Sequence, residues 1–275
     1  MSEGQSPPLV LLGVGPAALA VARAARGARE LVGTTRSPER APALEAAGIR
    51  PVVAPALSPD DLAALAPGAD LVVSFPPDGS TDRRLAPACR GARALVYISS
   101  TGVYGHHVGT VDDATPVAPD DPRAAPRLDA EAAWREAGAV VLRAPGLYDA
   151  TTGLHRRLLA GGFRLTGDGS GVLSRIHLDD LAALTLAALD PAQRGETFVV
   201  GDLAPAPQLE VVSWLCQRLG LPLPPSAPPD QVHPSLRGGR AVDPRRALAR
   251  LGVTLRYPTY REGFAAALAG LEKAP

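Results

Sequence analysis

The apolar positions of this chain fall into short runs separated by segments of helical period. Leu9-Val10-Leu11-Leu12 comes first, followed by the turn Gly13-Val14-Gly15-Pro16-Ala17-Ala18 and an alanine-rich stretch reaching Arg26. Further runs lie at Leu31-Val32-Gly33, Val52-Val53, Leu71-Val72-Val73, Ala94 to Ile98, Val140-Val141-Leu142 and Thr197-Phe198-Val199-Val200. Their length and composition suit strands buried on both faces. Helices are predicted between them. One follows Ser37-Pro38, where Ser can cap and Pro suits the first turn, and another follows Ser58-Pro59. Others run from about Asp82 to Cys89, from about Pro126 to Ala137, and from Leu178 to Leu189 with Asp179 or Asp180 as cap. Strands alternating with helices predict an α/β fold, a doubly wound parallel sheet with helices on both faces.

After Leu142 the rhythm breaks. Ala144 to Leu173 is rich in Gly, Thr and Arg without a long periodic element, as expected of chain that leaves the sheet to build a smaller C-terminal substrate lobe. A helix around Leu209 to Leu219, a proline-rich connection from Leu221 to Pro234 and helices around Pro244 to Leu251 and Tyr260 to Leu271 complete the pattern. Residues 1–145 with 174–203 are expected to form the Rossmann domain, and 146–173 with 204–275 the substrate lobe.

Composition narrows the field. Twenty-eight basic and twenty-eight acidic residues cancel over 275 positions, which removes the net field expected of a nucleic-acid or anionic-membrane binder. Lys273 is the only lysine, so chemistry needing a lysine in the body of the protein is excluded. Cys89 and Cys216 are too few and too far apart for a disulfide framework or metal cluster, and they fit a reducing cytoplasm. Met1 to Pro8 lacks a basic start and leads into a run broken by Gly13, Gly15 and Pro16, so neither a secretory signal nor a membrane span is expected.

Gly13, Gly15 and Ala18 form a G-x-G-x-x-A pattern between the first strand and the first helix. The first glycine allows the tight turn, and the second lets a pyrophosphate approach the backbone. Ala18 lets helix and strand pack closely, while Pro16 and Ala17 open the helix whose N-terminus would face the anion. In this βαβ context the pattern predicts a dinucleotide site. About twenty residues on, where an NAD-preferring site would carry an acid, stand Thr34-Thr35-Arg36. Arg36 can fork onto a 2′-phosphate, so NADP(H) is expected over NAD(H). Ser74 and Phe75, just past the fourth strand, are further expected cofactor contacts.

Val96-Tyr97-Ile98-Ser99-Ser100-Thr101-Gly102-Val103-Tyr104-Gly105 ends an apolar strand in hydroxyls. Together with the glycine turn, Leu142-Arg143-Ala144-Pro145-Gly146-Leu147-Tyr148 and Arg175-Ile176-His177-Leu178-Asp179-Asp180, it resembles the extended short-chain dehydrogenase/reductases of the NAD-dependent epimerase/dehydratase superfamily. The C-terminal Tyr257-Pro258-Thr259-Tyr260-Arg261-Glu262-Gly263 is similar to an atypical subgroup. The resemblance implies that Ser100 polarises the substrate, with Ser99 near the cofactor and Thr101, His106, Tyr148 and Arg175 near the substrate. It also implies a Tyr-x-x-x-Lys pair, but with Glu131 as marker those positions hold Arg123 and Arg127. Arg127 is left to supply positive potential, since a guanidinium cannot shuttle protons near neutrality. Tyr104 is the replacement proton donor to consider, with His106 and His107 behind it. His177 reads as a helix-start residue, and no metal site is expected.

The expected function is an NADP(H)-dependent oxidoreductase or epimerase-like enzyme acting on a small polar, possibly sugar-nucleotide-like, substrate. The alternative is a non-catalytic NAD(P)-binding regulator. The expected partner is a small molecule, with neither nucleic acid nor membrane, and the protein a cytoplasmic monomer or homodimer.

Overall fold

The computed structural model describes residues 6–232 and 239–271; Met1 to Gln5, the end of the proline-rich connection at 233–234 and Lys273 lie outside the described residues. The predicted strands form Leu9–Leu12 (β1), Leu31–Thr35 (β2), Arg50–Val53 (β3), Asp70–Val73 (β4), Ala94–Ser100 (β5), Val140–Ala144 (β6) and Thr197–Val199 (β7). They make one sheet in the order β3-β2-β1-β4-β5-β6-β7. Every pairing is parallel, with Leu9 beside both Leu31 and Asp70, Asp70 beside Ala94, Val96 beside Val140 and Val141 beside Thr197. The strand order turns back between β1 and β4, and such a switch point opens a crevice above the carboxyl ends.

The period of two divides the core. Leu9, Leu11, Val96, Ile98 and Leu142 face one layer, which includes helices Pro16–Ala25 and Leu178–Ala187. Val10, Leu12, Tyr97 and Val141 face the other, against Pro59–Leu65, Thr81–Leu85 and Ala125–Glu136. A third cluster joins Tyr148 and Leu158 to helices Gln208–Leu219 and Tyr260–Leu271.

The helix starts correct some expectations. Ser58 and Asp61 form a reciprocal capping box, as the sequence suggests. Ser37 instead bonds the Glu39 side chain and leads a 3-10 turn, Pro38–Arg40, before helix Ala41–Ala46. The helix expected to Cys89 ends at Leu85 and continues as a 3-10 turn through Pro87, which has no N–H to extend the ladder. At Leu178 the cap is neither aspartate: His177 Nδ1 accepts the Asp179 N–H at 3.1 Å. Asp180 turns inward and accepts the backbone N–H groups of Arg256 and Tyr257 at 2.7 and 3.0 Å, fastening the C-terminal segment to the sheet layer.

Beyond the hydrophobic pattern lies a four-stranded sheet of Ala206–Pro207, Val172–Leu173, Arg240–Val242 and Gly109–Val111. It ties four separate parts of the chain together beside the tip of β5. The proline-rich connection contributes Ser226–Ala227, paired with Leu165–Thr166. Both cysteines are free and buried, and burial pushes the Cys89 thiol up to about 12. No helix among the described residues is long and apolar enough to cross a membrane.

Candidate active site

The glycine turn is held from below. Gly13 has φ +80°, and a Cβ there would stand 2.9 Å from Phe75 Cβ. Its N–H donates to Thr34 Oγ1 at 3.0 Å, and its carbonyl accepts from Ser74 Oγ at 2.6 Å. Thr34 and Ser74, expected to touch the cofactor, therefore brace the turn through its backbone, with Phe75 walling it. Gly15 is different: nothing lies within 4 Å of the place its Cβ would take. Pro16 opens a ten-residue helix, with Ala17 and Ala18 buried against the strand. Open ground before a helix N-terminus suits a pyrophosphate, so these residues fit a dinucleotide. At the end of β2, Arg36 is exposed and makes no hydrogen bond or ion pair among the described residues. Arg40, one turn on, donates to the Val14 carbonyl at 2.6 Å.

The tip of β5 splits its hydroxyls between two environments. Ser99 is 4% exposed and donates to Glu131 Oε1 at 2.6 Å. Glu131 in turn holds Arg143 of β6, whose Nη2 and Nε lie 2.8 and 3.1 Å from its oxygens. Arg143 Nη1 reaches Tyr104 Oη at 3.2 Å, and that hydroxyl donates to the Asp112 carbonyl at 3.0 Å. Two expectations fall here. Ser99 is enclosed in a buried ionic network instead of facing a cofactor. Tyr104 is fully buried with its proton committed, and burial raises its pKa, so it is no accessible proton donor. The 3-10 turn Thr101–Tyr104 rotates the phenol beneath the strand tip.

Ser100 points the other way. Its Oγ accepts the Gly102 N–H at 3.1 Å and faces a cavity of about 340 Å³, with Thr101 beside it. Arg127, expected to serve this site, is instead turned toward Tyr97 Oη, 3.3 Å away, and does not line the cavity. Arg123 does. It is gripped by Asp121 at 2.9 Å and lies 2.8 Å from His106 Nε2. The Arg123–Asp121 hydrogen bond holds the carboxyl of Asp121 down at about 2. His106 lines the mouth and is largely exposed. Arg240, whose Nη1 bonds the Gly105 carbonyl, and Arg157 complete the basic rim.

The cavity floor holds polar groups without partners. Arg175 is 6% exposed, donates only to the Leu173 carbonyl at 3.0 Å, and has no carboxylate ion pair among the described residues. Gln208 Oε1 accepts the Thr166 N–H at 2.7 Å, which fixes the amide orientation and leaves its buried Nε2 unpaired. Tyr148 is stacked on Phe264 at 4.2 Å and edge-on to His177 at 5.3 Å, its buried hydroxyl unpaired. Gly263 explains the C-terminal motif: a Cβ there would stand 1.9 Å from the Tyr148 hydroxyl. Thr101, His106, Tyr148 and Arg175 thus surround one space with Ser100. The sequence reading missed Arg157, Gln208 and Arg240, which carry no local signal. An arginine inside the apolar strand at Arg143, facing an inward glutamate, was the one legible trace of the buried network.

A family model described as NAD(P)H-binding matches residues 13–192. The chain belongs to this family. It falls within the extended short-chain dehydrogenase/reductases, beside NAD-dependent epimerase/dehydratases. A solved structure of a functionally unknown conserved protein from Silicibacter pomeroyi shares 30% identity, covering 98% of this chain and 100% of that one with a TM-score of 0.82. A Methylobacillus flagellatus protein classed with the NAD-dependent epimerase/dehydratases shares 27% over 98% and 100% of the two chains, with a TM-score of 0.77. A 3-diazoavenalumate denitrifying reductase from a Streptomyces species is 31% identical over 156 residues. That match spans 51% of this chain and 51% of the relative, about half of its length.

Proposed function

We propose that the protein is an NADPH-dependent reductase of small organic anions. One observation carries this reading: Arg123, Arg157, Arg175 and Arg240 line a cavity that begins at Ser100, and no aspartate or glutamate lines it among the described residues. Asp121 neutralises Arg123, but among the described residues Arg157 and Arg175 are in no ion pair. Guanidinium forks match carboxylate and phosphate oxygens, so an anionic group fits the Arg175 end, with Gln208 Nε2 as a second donor. Ser100, whose oxygen accepts from Gly102, keeps its hydroxyl hydrogen free for a hydrogen bond to substrate at the near end. Arg36 would fork onto a 2′-phosphate, and the Gly13–Ala18 turn would carry the pyrophosphate. A bound nicotinamide supplies hydride.

Residues 1–145 with 174–203 hold the cofactor in this reading, and 146–173 with 204–275 close the substrate space. It acts in the cytoplasm on a diffusible molecule, as a monomer or homodimer, without nucleic acid or membrane.

The chemistry is narrowed by what the chain does not offer. Arg123 and Arg127 occupy the family's Tyr and Lys positions, and Tyr104 is enclosed. A reduction drawing no proton from the protein suits such a site. The Streptomyces relative is named for removing nitrogen from a diazo acid. Replacing a diazonium group by hydride releases N2 and consumes no proton, and the acid group would meet the arginines. An aryl diazo carboxylate is thus the substrate class we favour.

The test is NADPH oxidation above the uncatalysed rate across aryl diazonium carboxylates, their carboxylate-free analogues, aldehydes and sugar nucleotides. Turnover confined to members that carry an acid group is expected, with Ser100→Ala lowering kcat/KM about 100-fold, the scale for loss of one preorganised donor. Equal turnover of members with and without the acid group would sink the assignment. NADPH binding with no turnover of any member would favour the regulatory reading, which the missing Tyr-Lys relay supports.

A further inference from the structure

Asp202 is a buried acid that nothing above employs. It follows β7, is 1% exposed, and donates its backbone N–H to the Arg175 carbonyl at 2.8 Å. Its Oδ1 accepts the Ala204 N–H at 3.3 Å, while its buried Oδ2 has no partner. Nearby, Arg175 forms no carboxylate ion pair among the described residues. Two buried groups of opposite sign therefore share one region without forming an ion pair. Burial lifts the Asp202 carboxyl to about 7; Arg175 draws it down and Asp180 pushes it up. The other titratable groups around this region are Tyr148, Tyr260, Glu210 and Glu262, from three different elements.

We propose that Asp202 is a positioning residue that competes with the substrate's anionic group for Arg175, so that the cavity takes up its anion together with a proton. The idea rests on the assignment of an anion to Arg175 made above. Among the acidic groups around it, the ionised Asp202 acts most strongly on the Arg175 guanidinium. When an anion docks, two negative charges would face one buried arginine, and a low-dielectric site cannot hold both. Protonation of Asp202 removes the second, leaving the guanidinium free to fork onto the ligand. Affinity is therefore lost as pH rises through the Asp202 titration, and a bound anion pushes that titration higher still.

The experiment is calorimetry on the full chain saturated with NADP, using benzoate as the carboxylate probe. Sulfate serves as a phosphate stand-in that does not itself titrate in this range. Affinity should fall about 30-fold between about pH 6 and pH 8.5 for a group near 7, with net proton uptake in buffers of differing ionisation enthalpy. Asp202→Asn should bind tightly throughout, without uptake, and in turnover the pH dependence should appear in KM and not kcat. The wild-type uptake measurement stands if the variant does not fold. Tight, pH-independent binding without proton uptake by the wild type overturns the role of Asp202 while leaving the anion site intact. Binding of neither probe, with Arg175→Gln no different from wild type, overturns the anion site itself and Asp202's role with it.

Discussion

Replacing Glu131 by Ala should be among the most damaging single changes available to this protein. Glu131 and Arg143 have side chains only 3% and 8% exposed, joined in a fork at 2.8 and 3.1 Å. Removing the carboxylate leaves a buried guanidinium with only the Tyr104 hydroxyl and strips Ser99 of its acceptor. Breaking a buried pair from one side costs about 3–5 kcal/mol, and an orphaned hydroxyl adds about 1 kcal/mol. Against a total stability of about 5–15 kcal/mol, that is a large fraction. The double replacement Glu131→Met with Arg143→Met should recover most of the loss and fall within about 2 kcal/mol of wild type, because no uncompensated charge remains. Equilibrium urea unfolding followed by tryptophan fluorescence reads both, since Trp134 is buried on the same helix as Glu131. A single variant less than about 1 kcal/mol weaker than wild type, or a double variant as unstable as the single, would refute the reasoning.

Three further outcomes are expected. Arg36→Ala should weaken NADPH about 10- to 100-fold, the scale of one charge-assisted contact, and leave NADH nearly unchanged in a fluorescence titration; equal losses would contradict the 2′-phosphate role. Gly263→Ala should lower thermal stability although Ala favours helices by about 1 kcal/mol, because its methyl meets the Tyr148 hydroxyl, and adding Tyr148→Phe should restore part of the loss. Asp202 holds its proton in the folded state to about pH 7, whereas the unfolded chain releases it near pH 4, so its contribution falls as pH rises across that window, by at most about 4 kcal/mol. Asp202→Asn should gain on wild type between about pH 5 and pH 8 in urea unfolding, and a constant difference would count against it.

The edge strand Arg50–Val53, with no buried residue, showed only as Val52-Val53 within the alternation of strands and helices, while the other six strands of the main sheet were legible as apolar runs. The smaller sheet was not. Val172–Leu173 and Gly109–Val111 are two and three residues long, too short to show a period, and their partners lie far along the chain. The glycine turn could be read because its backbone geometry admits few residue types. Arg157 and Arg240 could not, since in a chain with one lysine an arginine that lines a cavity looks like any solvated surface charge. Tyr104 shows how spacing misleads: four residues past Ser100 it adjoins the site in sequence, yet one 3-10 turn sends its ring to Arg143. Buried acids such as Asp202 are equally silent, because nothing in Gly201-Asp202 marks the carboxylate as enclosed.

The wall formed by Phe264, with Gly263 seating Tyr148, sets an order of events during synthesis. The glycine turn, Arg36 and the tip of β5 are complete once Ser100 has been made, whereas the substrate cavity waits for the helix Tyr260–Leu271. Phe264 stacks on Tyr148 and also lines the cavity, so a chain cut short before Gly263 would strip one wall from the substrate side while every residue of the glycine turn remained.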